Sequence, residues 1–387
     1  MELYIHLPFC KSKCRYCDFA SYAGCESFMP RYIDALLQEA ALQADRLNHP
    51  AIATVFIGGG TPSLLPADLL ARLMKGLHER FPIAAQAEFT SEANPGTLTA
   101  QWLDVAVRYG VNRLSMGMQA KQPELLRTLG RIHDAQQVEQ SVAMVKAAGI
   151  ENISLDLMFG LPGQTVAQWH ESLDFALSMQ PKHLSCYGLI PEDGTPLKAD
   201  LDSGKLCLPD EETERIMYDD TLAILSQNGF EQYEISNFAL PGYECRHNLG
   251  YWRQVPYLGL GASASSMLPD HQSAYCRVTN PPSIHEYLSM MDEHAWHKRE
   301  TSSVSPAEAR FETLMLGLRT TKGISENDYA TMHGTSLQDD YGATLSSLAE
   351  RHLLIHENGW WRLTRRGMDV QNSILVELMD EETPDRT

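Results

Sequence analysis

Three cysteines, Cys10, Cys14 and Cys17, fall close together near the start of this 387-residue chain, in a C-x3-C-x2-C spacing. Thiolates are soft ligands that select zinc, Cu(I) or iron–sulfur clusters. A structural zinc site normally closes its tetrahedron with a fourth Cys or His. His6 is the nearest candidate, but it lies within an apolar strand-like run four residues before Cys10. Three thiolates on one short loop suit three corners of a [4Fe-4S] cubane and leave the fourth iron open. Of the other cysteines, Cys25, Cys186, Cys207 and Cys276 have no ligand-like spacing and read as buried or incidental thiols. Nothing at the start resembles a signal peptide, so a reducing, cytoplasmic setting without a disulfide framework is expected.

Other residues able to do chemistry lie further along. Gly58-Gly59-Gly60-Thr61-Pro62 is a turn whose bare backbone can approach a ligand closely. Glu92, Gln119, Arg131 and Asp156 follow at intervals. Taken singly, each has an ordinary reading as a helix cap, a turn residue or a strand-end ion pair. The elements around them give them a common place. Strand-like runs at 3–7, 53–57, 87–92, 113–118, 153–158 and 183–189 alternate with amphipathic patterns at 32–44, 67–80, 99–109, 135–148 and 167–179. Strand then helix, repeated with short loops, means parallel strands with right-handed crossovers. Six strands are too few to close an eight-fold barrel, so the expected fold is α/β, an open partial (β/α)6 barrel. Glu92, Gln119 and Asp156 then sit towards the C-terminal ends of strands, and Arg131 on a following loop, where such sheets place their sites.

The alternation stops near Pro191, and a long helix is expected over 210–227. The Tyr-, Gly- and Asn-rich stretch 230–261 shows little periodicity. From about Ser305 the pattern is three helices and a hairpin around Gly359, a winged-helix-like module ending in an acidic tail, Asp380 to Thr387, that reads as frayed. The expected division is a barrel over 1–190, an extension over 191–304 and the C-terminal module over 305–387. Fifty acidic against 31 basic residues give a net charge of −19, which argues against nucleic acid as the main ligand. No apolar run is long enough to cross a bilayer; peripheral membrane contact and oligomeric state stay open.

The cysteine spacing, with aromatic Tyr16 before the third ligand, resembles the signature of the radical S-adenosylmethionine superfamily, and the resemblance covers most of the chain. Tyr4-Ile-His6-Leu-Pro8-Phe-Cys10, Gly58 to Pro62, Glu92-Ala-Asn94-Pro95-Gly96 and Gly130-Arg131-Ile132-His133 are similar to blocks of the oxygen-independent coproporphyrinogen III oxidase family, and more closely of its HemW-type heme-chaperone relatives. The resemblance implies that Tyr4, Gly60, Glu92 and the backbone near Tyr16 contact S-adenosylmethionine, with Thr61, Pro62, Gln119, Arg131 and Asp156 as the remaining contacts. The oxidase carries a further cysteine where this chain has Phe19, and an extension ahead of its first strand, where this chain starts at the strand. His247-Asn248-Leu249-Gly250-Tyr251-Trp252 resembles the HNxxYW motif of the chaperone branch. By that resemblance His247, or neighbouring Cys245, would ligate heme iron. Arg246 and Arg253 would meet its propionates, and Tyr251 and Trp252 would border the macrocycle. The same residues could instead pin an irregular segment against the barrel. Relatives carry a histidine where Ser265 stands here. Arg362, Arg365 and Arg366 form a basic patch in the last module, which in relatives packs beside the barrel. The implied function is a heme chaperone that passes heme to an acceptor protein. The alternatives are a radical enzyme acting on a tetrapyrrole and a zinc-stabilised binding module.

Overall fold

The structure, a computed structural model, describes residues 1–380, so the acidic tail lies outside it beyond Asp380. Six parallel strands run in chain order: β1 (Glu2–Leu7), β2 (Ile52–Gly59), β3 (Ile83–Ala93), β4 (Arg113–Gln119), β5 (Asn152–Phe159) and β6 (His183–Gly188). Each pairs with the next in parallel register. Their bounds match the expected runs to within a few residues, and the expected helices between them are present.

The sheet is wider than six strands. The aperiodic stretch supplies β7 (Glu231–Gln232) and β8 (Asn237–Ala239), antiparallel beyond β6. It also supplies β9 (Tyr257–Leu260), a seventh parallel strand on the far side of β1. Antiparallel β10 (Ser265–Pro269), β11 (Tyr275–Thr279) and β12 (Glu300–Val304) complete that edge. These strands are too short to show a period, and the register is set by the sheet they join.

Side chains alternate across each parallel strand. Phe89, Leu114, Met116, Ile153, Leu155 and Leu184 belong to the main apolar core beneath the helices. The other parity is also buried but polar: Thr90, Arg113, Ser115, Ser154, His183 and Ser185. Parallel strands covered on both faces are usually apolar on both, so the concave side of this barrel is a polar lumen. Glu39, on the Met29–Arg46 helix, anchors the widened edge. It pairs with Arg299 at 2.5 Å and accepts from the Gly261 amide, Asn280 Nδ2 and the Tyr287 hydroxyl.

The C-terminal module has its own apolar core. Its hairpin, β14 (Leu354–Glu357) and β15 (Trp360–Leu363), joins β13 (Ile324–Ser325) in a three-stranded sheet. Asn358 and Gly359 both take positive φ at its two-residue turn. The module packs against the barrel: the Thr321 amide donates to the Tyr233 carbonyl at 3.0 Å, and Arg215 and Arg365 pair with Asp369 and Asp219 across the junction. Arg362 pairs with Glu357, so two of the three arginines of the basic patch are neutralised within the fold.

Candidate functional site

The cysteine loop leaves β1 after Leu7 and is held at both ends by backbone. Gly60 and Thr61 amides donate to the Leu7 and Phe9 carbonyls at 2.8 and 2.7 Å, and Arg15 donates to the Leu129 carbonyl at 2.9 Å. Gly60 is required here by closeness: a Cβ would lie 2.6 Å from the Phe9 carbonyl oxygen.

Cys10, Cys14, Cys17, Tyr16, Gly60, Glu92, Gln119, Arg131 and Asp156 line one pocket at the C-terminal ends of the strands. Each sulfur has a polar neighbour. Thr61 Oγ1 donates to Cys10 Sγ at 3.7 Å, Arg131 Nη1 donates to Cys14 Sγ at 3.5 Å, and Ser21 Oγ lies 4.0 Å from Cys17 Sγ. Burial pushes the Cys10 and Cys17 thiols above their ordinary range. Glu92 accepts from the Gly59 amide at 3.1 Å, and burial, reinforced by nearby Asp156, pushes its carboxyl up to about 7. Asp156 is also raised by burial, against hydrogen bonds from Ser185 and Ser115. Gln119 sits at φ +64, where the β4–β5 register shifts.

Of the remaining expected residues, Thr61 stands beside the pocket, between Cys10 and Asn94. Pro62 is buried at the start of a short 3-10 turn, and the Tyr4 hydroxyl meets His6 Nδ1 at 3.0 Å; neither lines the pocket. Sequence reasoning missed Asn94 and Ser115. Asn94 bridges Arg131 at 2.6 Å and Thr61 at 2.8 Å, and Ser115 bonds Asp156 at 3.0 Å. The in-strand alternation of Arg113, Ser115 and Gly117 was the available signal for Ser115.

His6 is ruled out as a fourth zinc ligand by its partners, since Nδ1 meets Tyr4 and Nε2 meets the Ala20 carbonyl at 2.9 Å. Among the described residues no three His, Cys, Asp or Glu side chains converge as ligands of one ion. Three thiols that share a pocket, each beside a donor, fit a cluster, in which every cysteine binds a different iron.

The HNxxYW segment lies elsewhere. It forms the Arg246–Trp252 helix, whose first amides, Arg246 and His247, donate to Glu88 at 2.9 and 3.0 Å. His247 is 1% exposed, with Nδ1 on Thr54 Oγ1 at 2.8 Å and Nε2 on the Tyr251 hydroxyl at 2.9 Å. Burial lowers its pKa to about 3. Thr54 and Gly59 are five residues apart on β2, about 16 Å along an extended strand. His247 therefore plugs the other end of the lumen from the cysteines. Cys245 is fully buried, its Sγ lies 3.5 Å from Glu88 Oε1, and burial raises the thiol to about 12. Both candidate axial ligands thus carry protein partners in this structure. Arg246 reaches the Gln86 carbonyl, and the Tyr251 ring packs on Tyr257. Ser265 bonds Thr279 Oγ1 at 2.8 Å and does not line the cysteine pocket.

A parallel α/β barrel with three cysteines on its first loop defines a radical S-adenosylmethionine protein, and the family model described as Radical SAM superfamily matches residues 4–176. A second, the HemN C-terminal domain, matches 304–370. The chain is 37% identical over 379 residues to heme chaperone HemW of Bacillus subtilis, covering 98% of this chain and 99% of that one. It is 33% identical to heme chaperone HemW of Escherichia coli, covering 98% of each. The chain belongs to the HemW family. The structure of coproporphyrinogen III oxidase (HemN) from Escherichia coli shares its fold, with a TM-score of 0.83 at 24% identity over 97% of this chain and 89% of that one.

Proposed function

We propose that the protein is a cytoplasmic heme chaperone that holds a [4Fe-4S] cluster and S-adenosylmethionine, binds heme, and delivers it to an acceptor protein. Full-length similarity to heme chaperones of this name carries the reading. The pocket supports its cofactor half. Cys10, Cys14 and Cys17 would hold the cluster, which when bound supplies an open iron for the amino and carboxylate groups of S-adenosylmethionine.

This chain's residues then have distinct tasks. Thr61 and Arg131 offset thiolate charge at Cys10 and Cys14, and Ser21 stands beside Cys17. Glu92 and the Gly60 backbone would hold S-adenosylmethionine, and Asp156, Gln119 and Tyr16 line the rest of the wall. Tyr4 and Pro62 shape the loop from behind it. His247 positions the Arg246–Trp252 helix from inside the barrel, and Trp252 and Arg253 line a cavity beside the C-terminal module.

The test is anaerobic reconstitution with iron and sulfide, followed by heme titration and transfer to an apo heme protein in the presence of S-adenosylmethionine. One heme per chain, passed on without cleavage of S-adenosylmethionine, is the expected result. Failure to bind heme stoichiometrically, together with 5′-deoxyadenosine release on adding a tetrapyrrole, would replace the chaperone reading with the enzymatic one.

A further inference from the structure

Arg113 opens β4, paired in register with Thr90 on β3 and Asn152 on β5. Registered side chains of parallel strands share a face, so this row crosses the polar lumen. On that face of β3, Glu92 lies two residues from Thr90 towards the cysteine end and Glu88 two residues the other way, each about 7 Å along the strand. Arg113 is 2% exposed. Its Nε has no hydrogen-bond partner among the described residues, and no carboxylate closes an ion pair with it there. Thr90 Oγ1 and Asn152 Oδ1, in the same row, are also unpartnered. Burying a charge without a partner of its own is unfavourable, and this one stands between carboxyl groups at both ends of the lumen. Accepting that the cysteine pocket holds S-adenosylmethionine, we propose that Arg113 is a positioning residue for the cofactor, supplying from behind the pocket wall the counter-charge that keeps Glu92 and Asp156 as carboxylates.

The groups that face Arg113 leave it this role. Burial works against its charge, while Cys245, Glu88, Tyr233 and Asp156 act the other way and hold it protonated. Burial raises the Cys245 thiol to about 12 and the Tyr233 phenol well above its ordinary range, so both are neutral near pH 7. Burial, helped by Arg113 itself, keeps His183 and His247 neutral as well. The carboxyl groups that answer Arg113 are therefore Glu88 and Asp156. Glu88 is engaged at its own end, where it accepts from the Arg246 and His247 amides at 2.9 and 3.0 Å. At the pocket end, burial raises the Glu92 and Asp156 carboxyls, and Arg113 pulls both down. Asp156 also meets Arg131 and Tyr16 from the loops and Cys186 and Tyr187 on β6. Glu92 meets Asp156 and Tyr4, and Arg113 is the cation that acts on it. Arg131, the other cation of the pocket, is spent on Cys14, Asn94 and the Gly117 carbonyl.

The experiment is equilibrium dialysis of radiolabelled S-adenosylmethionine against the anaerobically reconstituted full-length protein, between about pH 6 and pH 8.5. Without the cation the two carboxyls hold their protons to higher pH, and a protonated carboxyl cannot accept from the cofactor's donors. Arg113→Met should therefore bind about tenfold more weakly at pH 7, as a one-unit displacement implies, and recover towards wild type as pH rises. Arg113→Lys keeps the charge and should follow the wild-type profile. Arg113→Met alone leaves Glu88 without its counter-charge, so Arg113→Met with Glu88→Gln serves as a second variant in which neither charge is stranded. Glu88 does not act on Glu92, and the same pH-dependent loss is expected there. Wild-type affinity throughout, or a loss that does not change with pH, in whichever of these two variants folds would overturn the role of Arg113 and leave the cofactor reading intact. So would a folded Arg113→Lys protein that loses the cofactor at every pH. If neither neutral variant folds, Arg113 is a structural residue and the proposal falls. Absence of S-adenosylmethionine binding by wild type would instead sink the cofactor reading itself.

Discussion

Arg131 reaches three parts of the cysteine pocket at once: Cys14 Sγ, Asn94 Oδ1 and the Gly117 carbonyl. A planar fork can do this and an ammonium cannot. Arg131→Lys is therefore expected to lose one or two charge-assisted bonds, ~1.5–3 kcal/mol each, and to lower cluster occupancy severalfold, read as iron and sulfide per chain after reconstitution. His247 makes a prediction of the opposite character, since it acts by staying neutral. Its ordinary pKa of 6.5 falls to about 3 in the fold, chiefly through burial. Between those values the unfolded chain binds a proton that the folded one refuses. Its contribution is complete above about pH 6.5 and is withdrawn as pH falls towards 3, at up to about 1.4 kcal/mol per pH unit. Urea midpoints of wild type and His247→Gln should therefore converge as pH drops from 7 to 4; parallel profiles would show that the ring is not held neutral. The cysteines and Arg131 were legible because their types are scarce and their spacing is tight. Asn94 was not, because an asparagine before proline reads first as a turn residue.

At the scale of elements, the turn over Gly58–Pro62 and the cysteine loop form one unit. Gly60→Ala forces a Cβ against the Phe9 backbone, so the two segments must part. Loss of both stability, by ~1–3 kcal/mol, and cluster retention is expected in a melt followed at the cluster's absorbance. The Glu39–Arg299 pair acts on the other edge of the sheet. Glu39→Gln leaves Arg299 without its carboxylate in a site where both side chains are almost fully buried, which should cost about 3–5 kcal/mol in denaturant unfolding. The six parallel strands and their helices were legible because period 2 and period 3.6 alternate cleanly through the first half of the chain. The strands β7 to β9 were not, since two to four residues cannot display a period. The HNxxYW segment shows the same limit. Its residue types admit either a ligand or a plug, and only the tertiary structure shows that Thr54, Tyr251 and Glu88 surround it.

At the scale of the molecule, the barrel and the C-terminal module have separate cores joined by backbone contacts at Tyr233 and by ion pairs near Arg215 and Arg365. Those ion pairs are exposed and are worth little individually. Arg365→Glu should therefore shift the thermal midpoint only slightly, by a cost of ~1 kcal/mol, without splitting the melt into two transitions; a clear second transition would show that the pairs hold the module in place. The sequence by itself determined the clustering of the three cysteines, the parallel α/β order and the family, because these rest on residue type, spacing and local periodicity. Only the tertiary structure decided that the polar parity of the strands faces an enclosed lumen, with the cysteines at one end and His247 sealing the other. Only the tertiary structure brings Trp252 and Arg253 to face Lys322, Met332 and Trp360 across a junction. Residues so far apart in the chain are joined by packing between elements, and packing leaves no mark in local sequence.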